Sequence, residues 1–200
     1  MAEDQPLDIL GFARLVIDAL ETAQIDYALS GALAVAAWAE ARSTQDVDLV
    51  INLPTEHIQR FSDELARRQI LIPPDLMLDL LLETRGDVPL VGYHLHWSHK
   101  AELYPLRPGD ELRASALVRR RLVDLGPPMG QVTVHAPEDL ILYKLRFFSL
   151  SQQQNHTRDI VAILYAQKGK LDEAYLTGWV RRLGLEAIWR YMLLQIQKER

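Results

Sequence analysis

Two aspartates separated by one residue, Asp46 and Asp48, are the clearest candidates for chemistry in this chain of 200 residues. They open the run Asp46-Val-Asp-Leu-Val-Ile-Asn-Leu53, whose β-branched content predicts a buried strand. Side chains alternate faces along a strand, so both carboxylates lie on one face, roughly 6 to 7 Å apart. Like charges this close repel each other unless a cation compensates them, and Mg²⁺ prefers carboxylate oxygens. The alternative is a strand end that carries two solvated acids.

A strand, a tight break and a helix precede the aspartates. Residues 25–29 are mostly β-forming, Ser30 and Gly31 form the break, and the Ala-rich run of residues 32–40 predicts a helix. Ser30 is a suitable N-cap, and Gly31 removes a Cβ that would keep a ligand away from the backbone. The start of such a helix can bind an anion such as a triphosphate. The alternative is a capped turn and nothing more.

A third carboxylate, Glu102, follows on a later strand. The residues 90–97 predict one strand, the chain breaks at Ser98-His99, and residues 100–104 predict another strand with Glu102 in its middle. If this strand lies beside the aspartate strand, at the usual spacing of ~4.8 Å, Glu102 can share a cation with Asp46 and Asp48. Two ions about 4 Å apart can activate a hydroxyl and stabilise a leaving pyrophosphate. The alternative is a surface glutamate that faces Lys100.

The spacing of these motifs resembles a known family. A glycine at a helix start, the run Arg42-Ser-Thr-Gln-Asp-Val-Asp48 and a later strand carboxylate are similar to the nucleotidyltransferase fold of the DNA polymerase β superfamily. The resemblance is to the minimal bacterial branch that includes AbiEii-type toxins. The run Ala136-Pro-Glu-Asp-Leu-Ile-Leu-Tyr-Lys-Leu145 resembles its "Pro-Glu-Asp-Leu, then lysine" helix, and His156-Thr-Arg-Asp-Ile160 resembles its later "arginine-aspartate" helix.

The resemblance implies an α+β fold, with a mixed β-sheet flanked by helices and a helical C-terminal part. It implies that three acids bind two Mg²⁺ ions and are catalytic, and that six further residues contact the nucleotide. The acids are Asp46, Asp48 and Glu102, and the nucleotide-binding residues are Ser30, Gly31, Arg42, Thr44, Lys144 and Arg158. Two positions depart from the family pattern, because Ser30 stands where glycine is usual and Glu102 where aspartate is usual. By itself, Lys144 is typical of a solvated helix lysine, and Asp159 is expected to pair with a cation.

The implied function is the Mg²⁺-dependent transfer of a nucleotide from a nucleoside triphosphate to a hydroxyl of RNA, a protein or a small molecule. The chain would then be an enzyme, with an antitoxin protein as a further partner if it is a toxin of a toxin–antitoxin pair. The alternative is a member of the fold that binds nucleotide or protein without efficient turnover.

Two other clusters attract attention. His94, His96 and His99 could bind Zn²⁺, but a half-exposed sheet edge is the favoured interpretation because no further ligand is legible. An arginine cluster could hold a polyanion such as RNA, or could be a solvated helix face. The cluster contains Arg107, Arg113, Arg119, Arg120 and Arg121.

Composition sets the remaining expectations. The chain has no cysteine, which excludes disulfides, and its net charge of −5 argues against indiscriminate binding to nucleic acid. No apolar run approaches the ~20 residues of a membrane helix, and residues 1–6 do not resemble a signal peptide, so we expect a cytoplasmic protein. We predict a nucleotidyltransferase core over residues 1–150 and a helical extension over 151–200 packed on it. The polar segment 149–155 would be a mobile loop between them.

Overall fold

A computed structural model describes residues 7–40, 42–83 and 87–198 of the chain. Residues 1–6, considered above for a signal peptide, lie outside this range. The strands within it are β1 (Asp26–Leu29), β2 (Asp46–Asn52), β3 (Ile70–Leu71), β4 (Leu90–His94), β5 (Lys100–Pro105), β6 (Arg121–Asp124) and β7 (Gln131–Val134). The helices are α1 (Ile9–Thr22), α2 (Gly31–Val35), α3 (Ile58–Arg67), α4 (Pro74–Leu82), α5 (Glu111–Arg119), α6 (Pro137–Ser151), α7 (Gln154–Ala166), α8 (Glu173–Arg182) and α9 (Glu186–Lys198).

The seven strands form one mixed sheet in the order β3-β4-β5-β2-β1-β7-β6. Strand β2 lies at its centre, antiparallel to β1 and parallel to β5. Helices therefore flank a mixed sheet, and the predicted α+β class is confirmed. Among the described residues, no helix combines the length and the apolar character needed to cross a membrane.

The central strand separates two kinds of surroundings because its side chains alternate. Val47, Leu49 and Ile51 are fully buried in the main apolar core, which α1 and α3 also line. Val50 instead joins a small cluster with Ala28 and Leu117 of α5. Asp46 and Asp48 lie on the Val50 side of the strand, so the sheet holds both carboxylates on the face that α5 and α6 cover.

Two predicted segments differ from the structure. The helix expected over residues 32–40 ends at Val35, because tertiary hydrogen bonds hold Trp38: its indole N–H donates to the His135 carbonyl at 2.8 Å, and Gln167 donates to its carbonyl at 2.6 Å. The loop expected over residues 149–155 is mostly helical, since α6 continues to Ser151 and α7 begins at Gln154. The division into units 1–150 and 151–200 remains a prediction.

Candidate active site

Strand pairing brings the three predicted acids to one wall of a cavity. In the parallel register of β2 and β5, Asp48 lies opposite Glu102, and Asp46 lies opposite Lys100. All three carboxylates line a cavity of about 480 Å³ between the sheet and α6. The predicted pairing of the two strands, which placed Glu102 beside the aspartates, is therefore confirmed.

Glu102 also makes the contact that the alternative interpretation expected. Lys100 donates from Nζ to Glu102 Oε1 at 2.8 Å and lies 3.4 Å from Asp46 Oδ1. The Tyr104 hydroxyl donates to the other Glu102 oxygen at 2.8 Å. Glu102 thus faces the cavity and pairs with Lys100 at the same time.

The acidic wall carries more negative charge than Lys100 compensates. Burial and the nearby charge of Glu102 raise the pKa of Asp48 to about 6. A cation beside Asp48 would offset the unfavourable burial and repulsion of its ionised carboxylate. Carboxylate oxygens are also the hard donors that Mg²⁺ prefers. As the described side chains stand, however, no three acids or histidines are close enough to enclose a metal ion. The donor chemistry fits Mg²⁺, while Lys100 occupies part of the space between the donors.

Gly31 packs directly against Asp48. Its φ is +61°, and a Cβ built on it would lie 1.8 Å from Asp48 Oδ2. The backbone N–H of Ser30 donates to the Asp48 carbonyl at 2.8 Å. Both residues line the cavity as predicted, and Ser30 is the N-cap residue of α2, but its side chain makes no capping hydrogen bond. The space that Gly31 leaves is filled by the Asp48 carboxylate.

The cavity is also lined by two cations that one acid joins. Lys144 Nζ donates to Asp159 Oδ2 at 2.6 Å, and Arg42 donates to both Asp159 oxygens at 2.8 and 3.1 Å. Lys144 is 5% exposed, so the solvated-lysine interpretation is wrong, whereas the prediction that Asp159 pairs with a cation is confirmed. Burial lowers the pKa of Lys144. Burial by itself would raise the pKa of Asp159, but the charges and hydrogen bonds of Arg42 and Lys144 outweigh it and lower that pKa.

Of the two remaining predicted site residues, Thr44 lines the cavity and Arg158 does not. Thr44 lines it, and its hydroxyl lies 3.3 Å from the Asp46 backbone N–H in the turn before β2. Arg158 is exposed and does not line it. Successive residues on a helix point about 100° apart, so the inward direction of Asp159 turns its neighbour toward solvent. The structure therefore does not bring Arg158 to the other residues of the site.

Several lining residues were not predicted for this site. Val50, Tyr104, Arg113, Leu140, Tyr143 and Phe147 line the cavity beyond Glu102. Strand alternation from Asp46 and Asp48 could have indicated Val50, and alternation from Glu102 could have indicated Tyr104. Tyr143 carries a buried hydroxyl that has no hydrogen-bond partner in the described structure. Its ring stacks at 5.2 Å on His135, which is fully buried.

The arginine cluster does not form one free basic surface. Arg113 is 3% exposed and pairs with Asp87 at 2.6 Å and with Asp110 at 2.7 Å. Arg119 pairs with Glu138 and Asp139, and Arg120 pairs with Asp26. Mostly buried carboxylates engage Arg113 and Arg119, so neither the RNA patch nor the solvated helix face describes these two, whereas Arg121 is exposed at the start of β6.

The three histidines make ordinary structural contacts. His94 is buried and accepts a hydrogen bond from the His96 backbone N–H at 3.2 Å. His99 stacks on Phe12 at 5.5 Å, and its ring nitrogen lies 2.6 Å from the Leu7 carbonyl. They lie outside the cavity lining and, within the described part of the chain, form no metal-binding group. The predicted half-exposed sheet edge is wrong for His94, because β4 lies between β3 and β5, while His96 is exposed beyond the end of β4.

The sheet, its flanking helices and the cavity together have the nucleotidyltransferase fold. The structure of ANT(2'')-Ia in complex with adenylyl-2''-tobramycin is similar to this chain with a TM-score of 0.61 and 12% sequence identity, covering 87% of this chain and 98% of that one. The solution structure of the antibiotic-resistance factor ANT(2'')-Ia has a TM-score of 0.61 and 12% identity, covering 91% of this chain and 96% of that one. An antigenic nucleotidyltransferase-like protein from Paracoccidioides brasiliensis has a TM-score of 0.53 and 19% identity, covering 89% of this chain and 91% of that one. At these identities the likeness shows the fold alone. Neither a protein-family model nor a curated protein matches the sequence.

Proposed function

We propose that the chain is a Mg²⁺-dependent nucleotidyltransferase that transfers a nucleotide from a nucleoside triphosphate to a hydroxyl group. The observation that carries this proposal is the cavity in which Asp46, Asp48 and Glu102 face the cations Arg42 and Lys144. A separated acidic and basic wall suits a substrate that brings phosphate groups together with divalent cations. The fold neighbour that holds an adenylylated tobramycin supports the same reaction class.

Each wall then has its part in the reaction. Asp46, Asp48 and Glu102 would hold two Mg²⁺ ions, which would stabilise the charge that develops on the phosphate oxygens. Arg42, Thr44, Lys144 and the turn at Ser30 and Gly31 would contact the triphosphate. The acceptor oxygen would form a bond to the α-phosphorus while the bond to the pyrophosphate breaks. In the alternative role for Glu102, as base and not as metal ligand, it would accept the acceptor proton after Lys100 has released one of its oxygens.

The strongest competing function is a nucleotide-binding or protein-binding role without efficient turnover. The favouring observation is the pairing of Arg42 and Lys144 with Asp159 and of Lys100 with Glu102, because charges that are already paired attract a triphosphate less. The subtype of an AbiEii-like toxin with an antitoxin partner remains a prediction from sequence resemblance.

Transfer of label tests the proposal. The protein is incubated with the four nucleoside triphosphates labelled at the α-phosphate, with Mg²⁺ and with a cell extract that supplies acceptors. We expect labelled product with the wild type, loss of label with Asp46→Asn or with EDTA, and full label with Asp63→Asn. Asp63 is a matched control because it is an exposed acid on α3, away from the cavity.

Two outcomes would count against catalysis. Nucleotide binding measured by calorimetry without any transfer would favour the binding role. The absence of both transfer and Mg²⁺-assisted nucleotide binding would refute the proposed site.

A further inference from the structure

The cavity has a second end whose walls are apolar. Val50 follows Asp46 and Asp48 on the same face of β2, and in the register of β2 and β5 it lies opposite Tyr104. Leu140, Tyr143 and Phe147 face this region from successive turns of α6. We call Val50, Tyr104, Leu140, Tyr143 and Phe147 the aromatic end of the cavity. It differs in character from the end that carries the acids and the paired cations.

The aromatic end adjoins Glu102. The hydroxyl of Tyr104 donates to Glu102 Oε2 at 2.8 Å, and the ring of the same tyrosine packs edge-on against Phe147 with centroids 6.3 Å apart. A group that occupies the aromatic end would therefore present its neighbouring atoms to Glu102. Under the proposed function this is the place of the acceptor hydroxyl, since the triphosphate contacts lie along Arg42 and Lys144.

No uncompensated charge lines the aromatic end. The cations beside it are already paired: Asp87 and Asp110 neutralise the Arg113 guanidinium at 2.6 and 2.7 Å, and Asp159 pairs with Lys144 at 2.6 Å. The acids beside it are Asp46, Asp48 and Glu102, which the Mg²⁺ ions of the proposed function would engage. An anion or a cation placed there would therefore lose its hydration without gaining a free partner, which disfavours charged acceptors.

Three residues that line the cavity carry a buried polar atom without a hydrogen-bond partner in the described structure: the Tyr143 hydroxyl, Arg113 Nε and His156 Nδ1. Tyr143 is 4% exposed, and its hydroxyl makes no hydrogen bond to any described residue. Burial raises the pKa of Tyr143 far above neutral pH, so the hydroxyl keeps its proton and can donate. Leaving a buried hydroxyl unpaired is unfavourable, and a ligand that accepts its hydrogen bond would remove this penalty.

We propose that the aromatic end is the acceptor subsite, and that it takes a small uncharged hydroxyl compound with a flat apolar face and a polar atom that bonds to the Tyr143 hydroxyl. This inference rests on the proposed function, because it names the acceptor of that reaction. The whole cavity measures about 480 Å³ and would also hold the nucleotide, so the room left at its aromatic end favours a small compound over a macromolecule.

Binding of an uncharged aryl sugar tests the subsite. The probe is p-nitrophenyl β-glucoside, titrated by saturation-transfer NMR in the presence of Mg²⁺ and a nonhydrolysable nucleotide. One neutral hydrogen bond is worth about 0.5 to 1.5 kcal/mol, so we expect Tyr143→Phe to weaken the probe by about two- to tenfold. Tyr165→Phe is the matched control, because Tyr165 is 74% exposed on α7, and it should leave the dissociation constant unchanged.

Thermal unfolding separates this role from a structural one. The Tyr143 hydroxyl has no partner to lose, so Tyr143→Phe should unfold at the wild-type temperature or above it. A clear fall in the unfolding temperature would show that the hydroxyl supports the fold, and would overturn the assignment.

Competing acceptors provide the decisive comparison. Tobramycin presents hydroxyls on a polycation, and bulk tRNA presents them on a polyanion. We expect labelling of the aryl glucoside at a higher kcat/KM than either. Preferred labelling of tobramycin or tRNA, or equal probe affinity in wild type and Tyr143→Phe, or no probe binding, would overturn the subsite. Nucleotide binding measured in parallel by calorimetry shows whether the proposed function fails as well.

Discussion

Replacing Gly31 by alanine tests the packing on which the acidic wall depends. The new Cβ would lie 1.8 Å from Asp48 Oδ2, whereas ordinary van der Waals contacts begin at 3.4 Å. Residue 31 and the Asp48 carboxylate must therefore separate by about 1.6 Å. The substitution also places a side chain at a φ of +61°, which costs about 1 to 2 kcal/mol by itself. We expect Gly31→Ala to lose at least about 2 kcal/mol of unfolding free energy, or roughly 4 to 8 °C in unfolding temperature.

The same substitution should damage function more than stability. The Asp48 carboxylate must move by more than an ångström, and misplacement of a catalytic group by about 1 Å can cost 10²-fold in rate. We therefore expect label transfer to fall by about 10²-fold and Mg²⁺-assisted nucleotide binding to weaken.

Two other glycines separate the contributions. Gly126 has a φ of +70° with nothing within 4 Å of its added Cβ, so Gly126→Ala should show the backbone cost alone and keep activity. Gly178 lies within α8 with open space around it, so Gly178→Ala should stabilise the protein by about 0.5 to 1 kcal/mol. If Gly31→Ala matched Gly126→Ala in unfolding temperature, nucleotide affinity and transfer, the contact between Gly31 and Asp48 would be refuted.

Three further substitutions test the electrostatics. Burial and the charge of Glu102 raise the pKa of Asp48 from 3.8 to about 6. The charge of Asp48 therefore destabilises the metal-free fold increasingly as the pH rises from 3.8 to about 6, and fully above that pH. We expect Asp48→Asn to raise the unfolding free energy in EDTA at pH 7.5 by about 3 kcal/mol. Urea unfolding that shows no gain would contradict this. Asp159→Asn leaves Arg42 and Lys144 without their acid and should lower the unfolding free energy by about 3 to 5 kcal/mol. The control Asp79→Asn changes an exposed acid on α4 and should change the unfolding free energy by no more than about 0.5 kcal/mol. Equal urea midpoints for the two variants would rule the buried pairing out. Burial and the charge of Arg113 lower the pKa of His135 to about 3. Between pH 6.5 and 3 the unfolded chain therefore binds a proton that the folded protein does not. As the pH falls through this range, His135 should lower the unfolding free energy of the wild type by about 1.4 kcal/mol per pH unit. His135→Leu should remove that component, about 2 kcal/mol between pH 6.5 and 5, and parallel stability curves for the two proteins would show that the histidine titrates normally.

Much of the acidic wall could be predicted from local sequence. Alternation along β2 correctly placed Asp46 and Asp48 on one face. Gly31 was correctly predicted as a place of close approach, although its neighbour is Asp48 and not a ligand. These features repeat with the period of a strand or depend on a single turn, so a few adjacent residues contain the information.

Contacts between distant segments could not be predicted in the same way. Arg42 and Asp159 are 117 positions apart, and nothing in either segment specifies the other as its partner. The short α2 shows the same limit, because hydrogen bonds from Trp38 to His135 and from Gln167 to Trp38 end a segment that by propensity would continue.

The sequence by itself indicated the strand that carries the aspartates and the face on which they lie, and its resemblance to a known family indicated the class of fold. Tertiary structure alone decided that Arg113 is buried between two carboxylates, that Arg158 faces solvent and that the Tyr143 hydroxyl has no partner. The physical reason is that periodicity and turn chemistry act over a few residues, whereas burial and charge pairing depend on which segments the folded chain brings together.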